Sequence, residues 1–244
     1  MKTSSKLILS AILIMLIAAA LYDLQLKKVF DSGEYKQKYK GYISLNFKDF
    51  NTIHLNSSTA INILIRQGPF SVKVEPNSNE FVKLTQTGKT LNINAAFSGS
   101  FQSYYNQSYV LLITCPSLIR IHADAKYIAG SQQLIDTLAS GDFTWRPTLI
   151  SGFTLDSLTI IEDHASCIVL SNNQIKNINA IVGLSNGSRS NLLLDKDNQI
   201  HQANIQLLNK SQLWLHDIVI PQLKYLAADS SKLILTGAAQ KVTH

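Results

Sequence analysis

Charge is what this 244-residue sequence has least of. Asp, Glu, Lys and Arg make up 16% of it, against about a quarter in an ordinary soluble domain. Few carboxylates means few candidates for acid–base chemistry. The formal charge of +6 is spread along the chain, partly within residues 27–40, with no arginine-rich stripe and no interleaving of basic and aromatic residues. That distribution argues against nucleic acid as a partner. Two cysteines, Cys115 and Cys167, are too few for a disulfide framework. They read as small residues packed in or near strands, with a single bridge as the alternative. A nucleophile elbow, a phosphate-cradling glycine loop, a dinucleotide fingerprint and histidines at metal-ligand spacing are all missing. No catalytic residue, cofactor or metal site is expected.

Long apolar runs are also missing, with one exception. Lys2 and Lys6 precede an uncharged apolar stretch over residues 7–22, the basic start and hydrophobic middle of a secretory signal. Ala18 and Ala20 would direct cleavage before Leu21. Extended through Leu24 and Leu26, the run reaches the ~20 residues that a membrane span needs. The reading is export, with the segment either cleaved or kept as an anchor. Lys27, Lys28, Lys36, Lys38 and Lys40 follow it, although basic residues usually stay cytoplasmic.

What is abundant is Asn, Ser, Leu and Ile, and the C-terminal third arranges them in a four-fold repeat. Leu158 and Ile160 precede Ser166, with Ile168 and Leu170 after it. Val182 and Leu184 precede Ser190, with Leu192 and Leu194 after it. Ala203 and Ile205 precede Ser211, with Leu213 and Leu215 after it, and Leu223 and Tyr225 precede Ser231, with Leu233 and Leu235 after it. The serines recur every 20–24 residues, a period typical of stacked repeats. Each unit is a pair of alternating segments around a polar corner. Alternation puts one side inward, and a single unit cannot bury that side alone. Stacking unit on unit at about 4.8 Å would set serine over serine and leucine over leucine. The expected fold is all-β, a single-stranded parallel β-helix-like solenoid behind an N-terminal hydrophobic signal or anchor segment.

Three regions follow: 1–22, signal peptide or membrane anchor; 23–41, a polar lysine-rich spacer that is partly helical; and 42–244, the β domain. Within the last, short strands are expected at 53–55, 61–65, 71–74, 82–84, 91–93 and 109–114, divided by hairpin and loop chemistry. Residues 118–145 read as one or two irregular coils.

The N-terminal half carries a resemblance. Phe50-Asn51-Thr52-Ile53-His54-Leu55, then Ala60-Ile61-Asn62-Ile63-Leu64-Ile65-Arg66-Gln67-Gly68, then Phe70-Ser71-Val72-Lys73-Val74 resemble the opening of the head GIN domain family, described as candidate autotransporter adhesins of Bacteroidetes-type bacteria. Gly88-Lys89-Thr90-Leu91-Asn92-Ile93 and Pro116-Ser117-Leu118 continue the likeness, which spans about residue 45 to the end. Corner glycines usual in the family are replaced near Asp124-Ala125-Lys126 and His164-Ala165-Ser166. The resemblance implies an exported, single-domain, right-handed β-helix-like fold and brings no catalytic residues.

Acids that might converge in a groove are Glu162, Asp163 and His164 at one corner, with Asp142, Asp156, Asp195 and Asp197. Positions equivalent to Glu162 read as Asn186, Leu207 and Ala227, so no acid recurs. His54, His122, His201 and His216 stand isolated. The aromatic stretch 97–109 is the better ligand-binding candidate: Phe101, Tyr104, Tyr105 and Tyr109 offer flat rings, with Gln107 supplying hydrogen bonds. Capping of the core is the competing role for those rings. Trp214, between inward Leu213 and Leu215, should point outward. The expected function is an exported, non-catalytic, adhesin-like binding module of the periplasm or cell envelope. Its partner would be a glycan or cell-surface protein, and it would touch the membrane through the N-terminal segment if uncleaved. A carbohydrate-active enzyme and a membrane-anchored structural or sensory protein are the alternatives.

Overall fold

The computed structural model describes residues 3–33, 39–99, 109–137 and 147–243. The chain divides into two compact units, Met1–Gly41 and Tyr42–His244. In the first, α1 (Thr3–Asp31) is one continuous helix. Its stretch Lys6–Asp31 is apolar and long enough to cross a membrane, since 26 residues span about 39 Å of helix against ~30 Å of hydrocarbon. Large apolar side chains from Leu7 to Phe30 are exposed. The helix therefore runs well into the expected spacer, through Leu24 and Leu26. Lys28 in its last turn complements the negative end of the helix dipole.

The second unit is built of strands. The early ones are β1 (Ile43–Leu45), β2 (Thr52–Leu55), β3 (Ile63–Gln67), β4 (Ser71–Val74), β5 (Val82–Thr87) and β6 (Thr90–Phe97). Then come β7 (Leu111–Cys115), β8 (Arg120–Ala123), β9 (Lys126–Ala129), β10 (Gln132–Ile135) and β11 (Thr148–Ser151). The repeats supply β12 (Thr154–Glu162), β13 (Cys167–Ser171), β14 (Gln174–Val182), β15 (Asn191–Leu194), β16 (Gln199–Leu207), β17 (Gln212–His216), β18 (Gln222–Ala227) and β19 (Lys232–Thr236). They form two mixed sheets. The first has the order β1-β4-β7-β3-β11-β13-β15-β17-β19 and the second β10-β9-β6-β2-β8-β12-β14-β16-β18, with β5 paired to β6. Their inward faces share one apolar core. Alternation is the cause: β6 and β7 bury every second side chain.

Among the repeats the pairing is parallel and each unit lands on the next. Ile168, Leu192, Leu213 and Leu233 are successive register partners, as are Leu170, Leu194 and Leu215. Fully burying each such side chain contributes about 1.5–3 kcal/mol. Ser166, Ser190 and Ser211 sit just before these strands, all fully buried, and the Ser211 hydroxyl accepts the Ser190 N–H at 3.0 Å. The far corner carries buried asparagines that the sequence reading did not single out. Asn173 Nδ2 donates to Asn198 Oδ1 (2.9 Å) and to Ile150 O (3.0 Å), while Asn198 Nδ2 donates to Leu170 O (2.7 Å).

Three expectations change. The sheets are mixed, not all-parallel, because β1, β4, β5 and β10 pair antiparallel to their neighbours. In the second repeat the partners of Leu158 and Ile160 are Ile178 and Ala180, not Val182 and Leu184. Val182 lies opposite Glu162, so Val182 and not Asn186 is its equivalent, and Leu184 is 47% exposed. A longer corner between β14 and β15 explains the shift, since counting back from Ser190 assumed equal corners. Finally, part of the region read as irregular coil is regular: β9 and β10 form an antiparallel pair.

Candidate functional site

The outward side chains of β12, β14, β16 and β18 fall into two adjoining rows. Register aligns Thr159, Asn179, Asn204 and Lys224 in one, and Ile161, Ile181, Gln206 and Leu226 in the other. Together they line an open groove of about 400 Å³ on the outer face of the second sheet, floored by the strands at Ile160, Ala180, Ile205 and Tyr225. Within the polar row Asn204 Nδ2 donates to Asn179 Oδ1 at 3.3 Å. The rows repeat at the strand spacing, about 4.8 Å. A ligand lying across the strands therefore meets Thr159 beside Ile161, Asn179 beside Ile181, Asn204 beside Gln206 and Lys224 beside Leu226. The polar row continues to Arg120 and Thr52, the other to His122 and His54. The groove lining has amides, hydroxyls, aliphatic groups and one ammonium, but neither carboxylate nor imidazole. That chemistry can hold a neutral polar polymer; it offers no acid–base pair.

A second cluster sits at the corner after β8 and β12. His164, held at φ 49°, places Nδ1 2.6 Å from Asp124 Oδ1. A carboxylate only accepts, so this nitrogen carries the proton. Asp124, Asp163 and His164 bring potential ligand atoms within 4.8 Å of one another. Every carboxylate oxygen already has a protein donor, however. Asp124 Oδ1 takes the Ala125 N–H and Oδ2 the Lys126 ammonium, both at 2.7 Å. Asp163 Oδ1 accepts the N–H groups of His164 and Ser185 at 2.8 Å, and Oδ2 accepts the Ser185 hydroxyl. Burial pushes the Asp163 carboxyl upward, but the Ser185 and His164 bonds outweigh it and hold it below its ordinary value. The cluster is a clasp fastening the long corner to the preceding unit. Asp124 was the member missed from sequence, because 40 residues separate it from His164.

The Glu162-Asp163-His164 triplet splits. Glu162 turns inward, is 0% exposed, and takes a Ser166 hydroxyl bond at 3.3 Å on Oε2. Its Oε1 has no partner among the described residues. Desolvation raises its pKa well above the ordinary glutamate value, against the opposing pull of Ser166 and Ile168, which favours the protonated acid. His54 and His122 are not isolated: they pair across β2 and β8, edge to face at 5.5 Å. Burial first, then His54, lowers the His122 pKa. His216 bonds Asp195 at 2.7 Å, and His201 lies 3.5 Å from Gln222. Asp156 pairs with Lys176 in solvent.

Phe101, Tyr104, Tyr105 and Gln107 lie outside the described residues, as do Asp142 and Trp145. Tyr109 is partly buried, and its carbonyl accepts the Tyr42 hydroxyl at 2.6 Å. Trp214 does point outward, into a row with Val169, Leu193 and Ile234 on the first sheet. Cys115 lies in the main core and Cys167 in this outer cluster, so no bridge joins them. Burial pushes the Cys115 thiol up to about 12. The groove itself went unseen because it depends on which outward residues coincide across units, and an unequal corner upsets that count.

No protein-family model matches the chain, and no curated protein matches it. Solved structures do. A candidate adhesin from Bacteroides fragilis is 12% identical, covering 81% of this chain and 94% of its own, with a TM-score of 0.37. A candidate adhesin from Parabacteroides merdae is 14% identical, covering 81% and 93%, TM-score 0.35. A candidate lipid-binding protein from Parabacteroides distasonis is 11% identical, covering 80% and 94%, TM-score 0.34.

Proposed function

We propose that this chain is an exported, membrane-anchored binding module of the cell envelope, a β-helix-like solenoid of the head GIN type, that recognises an extended glycan without catalysis. One observation carries the reading: the groove on the second sheet, where Asn179 and Asn204 align across β14 and β16 in one row and Ile161 and Ile181 align across β12 and β14 in the adjoining row. Amides satisfy sugar hydroxyls, the aliphatic row covers less polar ring faces, and the strand spacing matches a repeating ligand rather than a compact one. The parallel stacking of the repeats supports the solenoid reading. Exposed apolar side chains along α1 support the anchor. A carbohydrate-active enzyme is disfavoured because the groove lacks the pair of carboxylates that glycosidic cleavage uses.

The test is a glycan-array screen with the full chain in detergent, followed by titration of the best polysaccharide. Losing two hydrogen-bonding amides at ~1 kcal/mol each should weaken binding at least ten-fold in Asn179→Ala/Asn204→Ala. A Tyr104→Ala/Tyr105→Ala variant is the second arm. If it abolishes binding while the asparagine variant binds normally, the aromatic segment is the site and the groove is not.

A further inference from the structure

The outermost strands of the two sheets among the described residues, β18 and β19, are built like interior strands. In the preceding units the inward positions are sealed: Leu158, Ile178 and Ala203 are 0% exposed, and Leu170, Leu194 and Leu215 likewise. In the last unit the equivalent side chains open to solvent. Tyr225, aligned with Ile205, is 46% exposed, and Leu223, Leu233 and Leu235 are only partly buried. The 3-10 turn Gly237–Thr243 leans on β17 and β19 and buries Ala239, but makes no comparable cover for β18. No strand among the described residues pairs with the outer edge of β18 or β19. An uncapped end of stacked repeats exposes its core and its edge hydrogen bonds together.

We infer that this end is a self-association surface, covered by a second copy of the same chain in a two-fold, end-to-end dimer. The sequence of the last unit is self-complementary for this arrangement. Tyr225 lies as far before the corner, closed by the Ser231 N–H to Ala228 O bond, as Ile234 lies after it. A two-fold axis through both residues runs β18 antiparallel to its copy and β19 antiparallel to its copy. Inward side chains then meet inward ones: Tyr225 faces Tyr225 of the second copy, Leu223 faces Ala227, and Leu233 faces Leu235. The backbone agrees. Ala228 N–H is bonded to Leu207 in the strand below, so by strand alternation the N–H groups of Tyr225 and Ala227 aim at the open edge. Lys224 meets Leu226 and Lys232 meets Thr236, so neither lysine faces its own copy. The opposite end cannot substitute. It closes in the short antiparallel strands β1 and β10, which do not copy the repeat unit, so the association stops at two and does not grow into a fibre. The groove runs to Lys224, Tyr225 and Leu226, so the dimer joins two grooves into one.

Oxidative cross-linking of the full chain in detergent tests the axis. Antiparallel partners bring Cα atoms to about 5.5 Å, within disulfide reach. Tyr225→Cys should give a disulfide-linked dimer that Lys176→Cys, mid-sheet on β14, does not give. Ala227→Pro removes an edge N–H without touching the pairing to β16, a place where proline is tolerated. It should halve the protein mass measured by sedimentation. A monomeric native chain, or no cross-linking from Tyr225→Cys, overturns the dimer. Asn179→Ala/Asn204→Ala should dimerise normally, so failure of glycan recognition and failure of self-association are read separately.

Discussion

Glu162 and Asp163 are neighbours with opposite pH behaviour. Asp163 is held ionised by Ser185 and His164, with its pKa lowered from 3.8. It contributes stability that is present above its unfolded value and lost as pH falls through its folded value. Glu162 is raised well above 4.5 by burial. The folded state keeps its proton while the unfolded chain gives it up, so the unfolded state binds fewer protons and stability falls as pH rises above about 4.5. The limiting slope for one such group is about 1.4 kcal/mol per pH unit. Glu162→Gln keeps the shape and removes the ionisation. Thermal melts of native and variant chains should coincide near pH 4 and separate toward pH 8, with the variant higher. Parallel melting profiles across that range would mean Glu162 is not a neutral acid in the folded state. The residue was conspicuous in the sequence, but its direction was not: the run was placed at a corner, and only the register puts Glu162 inside with Ala123 and Val182 on either side.

At the scale of the element, the corner between β14 and β15 shows how far the sequence could be read. Serine recurrence and two-residue alternation located the repeat strands on either side of the corners, because burial on one face forces that pattern, except that the pair before Ser190 was set at Val182 and Leu184, past the middle of β14. They could not measure the corner, because a solvated loop tolerates extra residues without changing the alternation on either side. Those extra residues carry Ser185, which ties down Asp163, and they depend on Gly183. At φ +89° Gly183 has a backbone conformation that side chains rarely adopt, and a Cβ there would collide with the Ser211 hydroxyl and the Leu208 carbonyl. Gly187, at φ +81° in the same corner, has open space around it. Gly187→Ala should therefore cost only the conformational penalty, about 1–2 kcal/mol. Gly183→Ala should cost about 3 kcal/mol or more, because the collision is with backbone and with the serine column. Chemical denaturation of the two variants separates the cases; equal losses would mean the corner moves aside and the serine column does not constrain it.

For the whole molecule, the proposed function divides between a strand unit that presents a groove and an apolar helix that would hold it at a membrane. The strand unit's parallel stacking was legible in the sequence; its antiparallel strands were less so, since hairpin chemistry at residues 87–89 marks the β5–β6 pair, whereas β4 alternates like its parallel neighbours and pairing sense leaves no mark on alternation. The helix sharpens the choice between cleavage and anchoring. A cut before Leu21 would fall inside α1, which continues unbroken to Asp31. It would leave Leu21, Tyr22, Leu24, Leu26, Val29 and Phe30 exposed at the new terminus. Retained, the same residues lie in hydrocarbon, where their transfer is favourable, and Lys27 and Lys28 reach the interface by extending their stems. The mature protein is therefore expected to keep the residues before Leu21 and to stay with the membrane pellet after alkaline carbonate washing. A chain beginning at Tyr42 should move entirely to the soluble fraction. Intact-mass measurement of the native protein decides the point: a mass starting at Leu21, with the protein in the wash, removes the anchor and leaves the groove on a freely diffusing module.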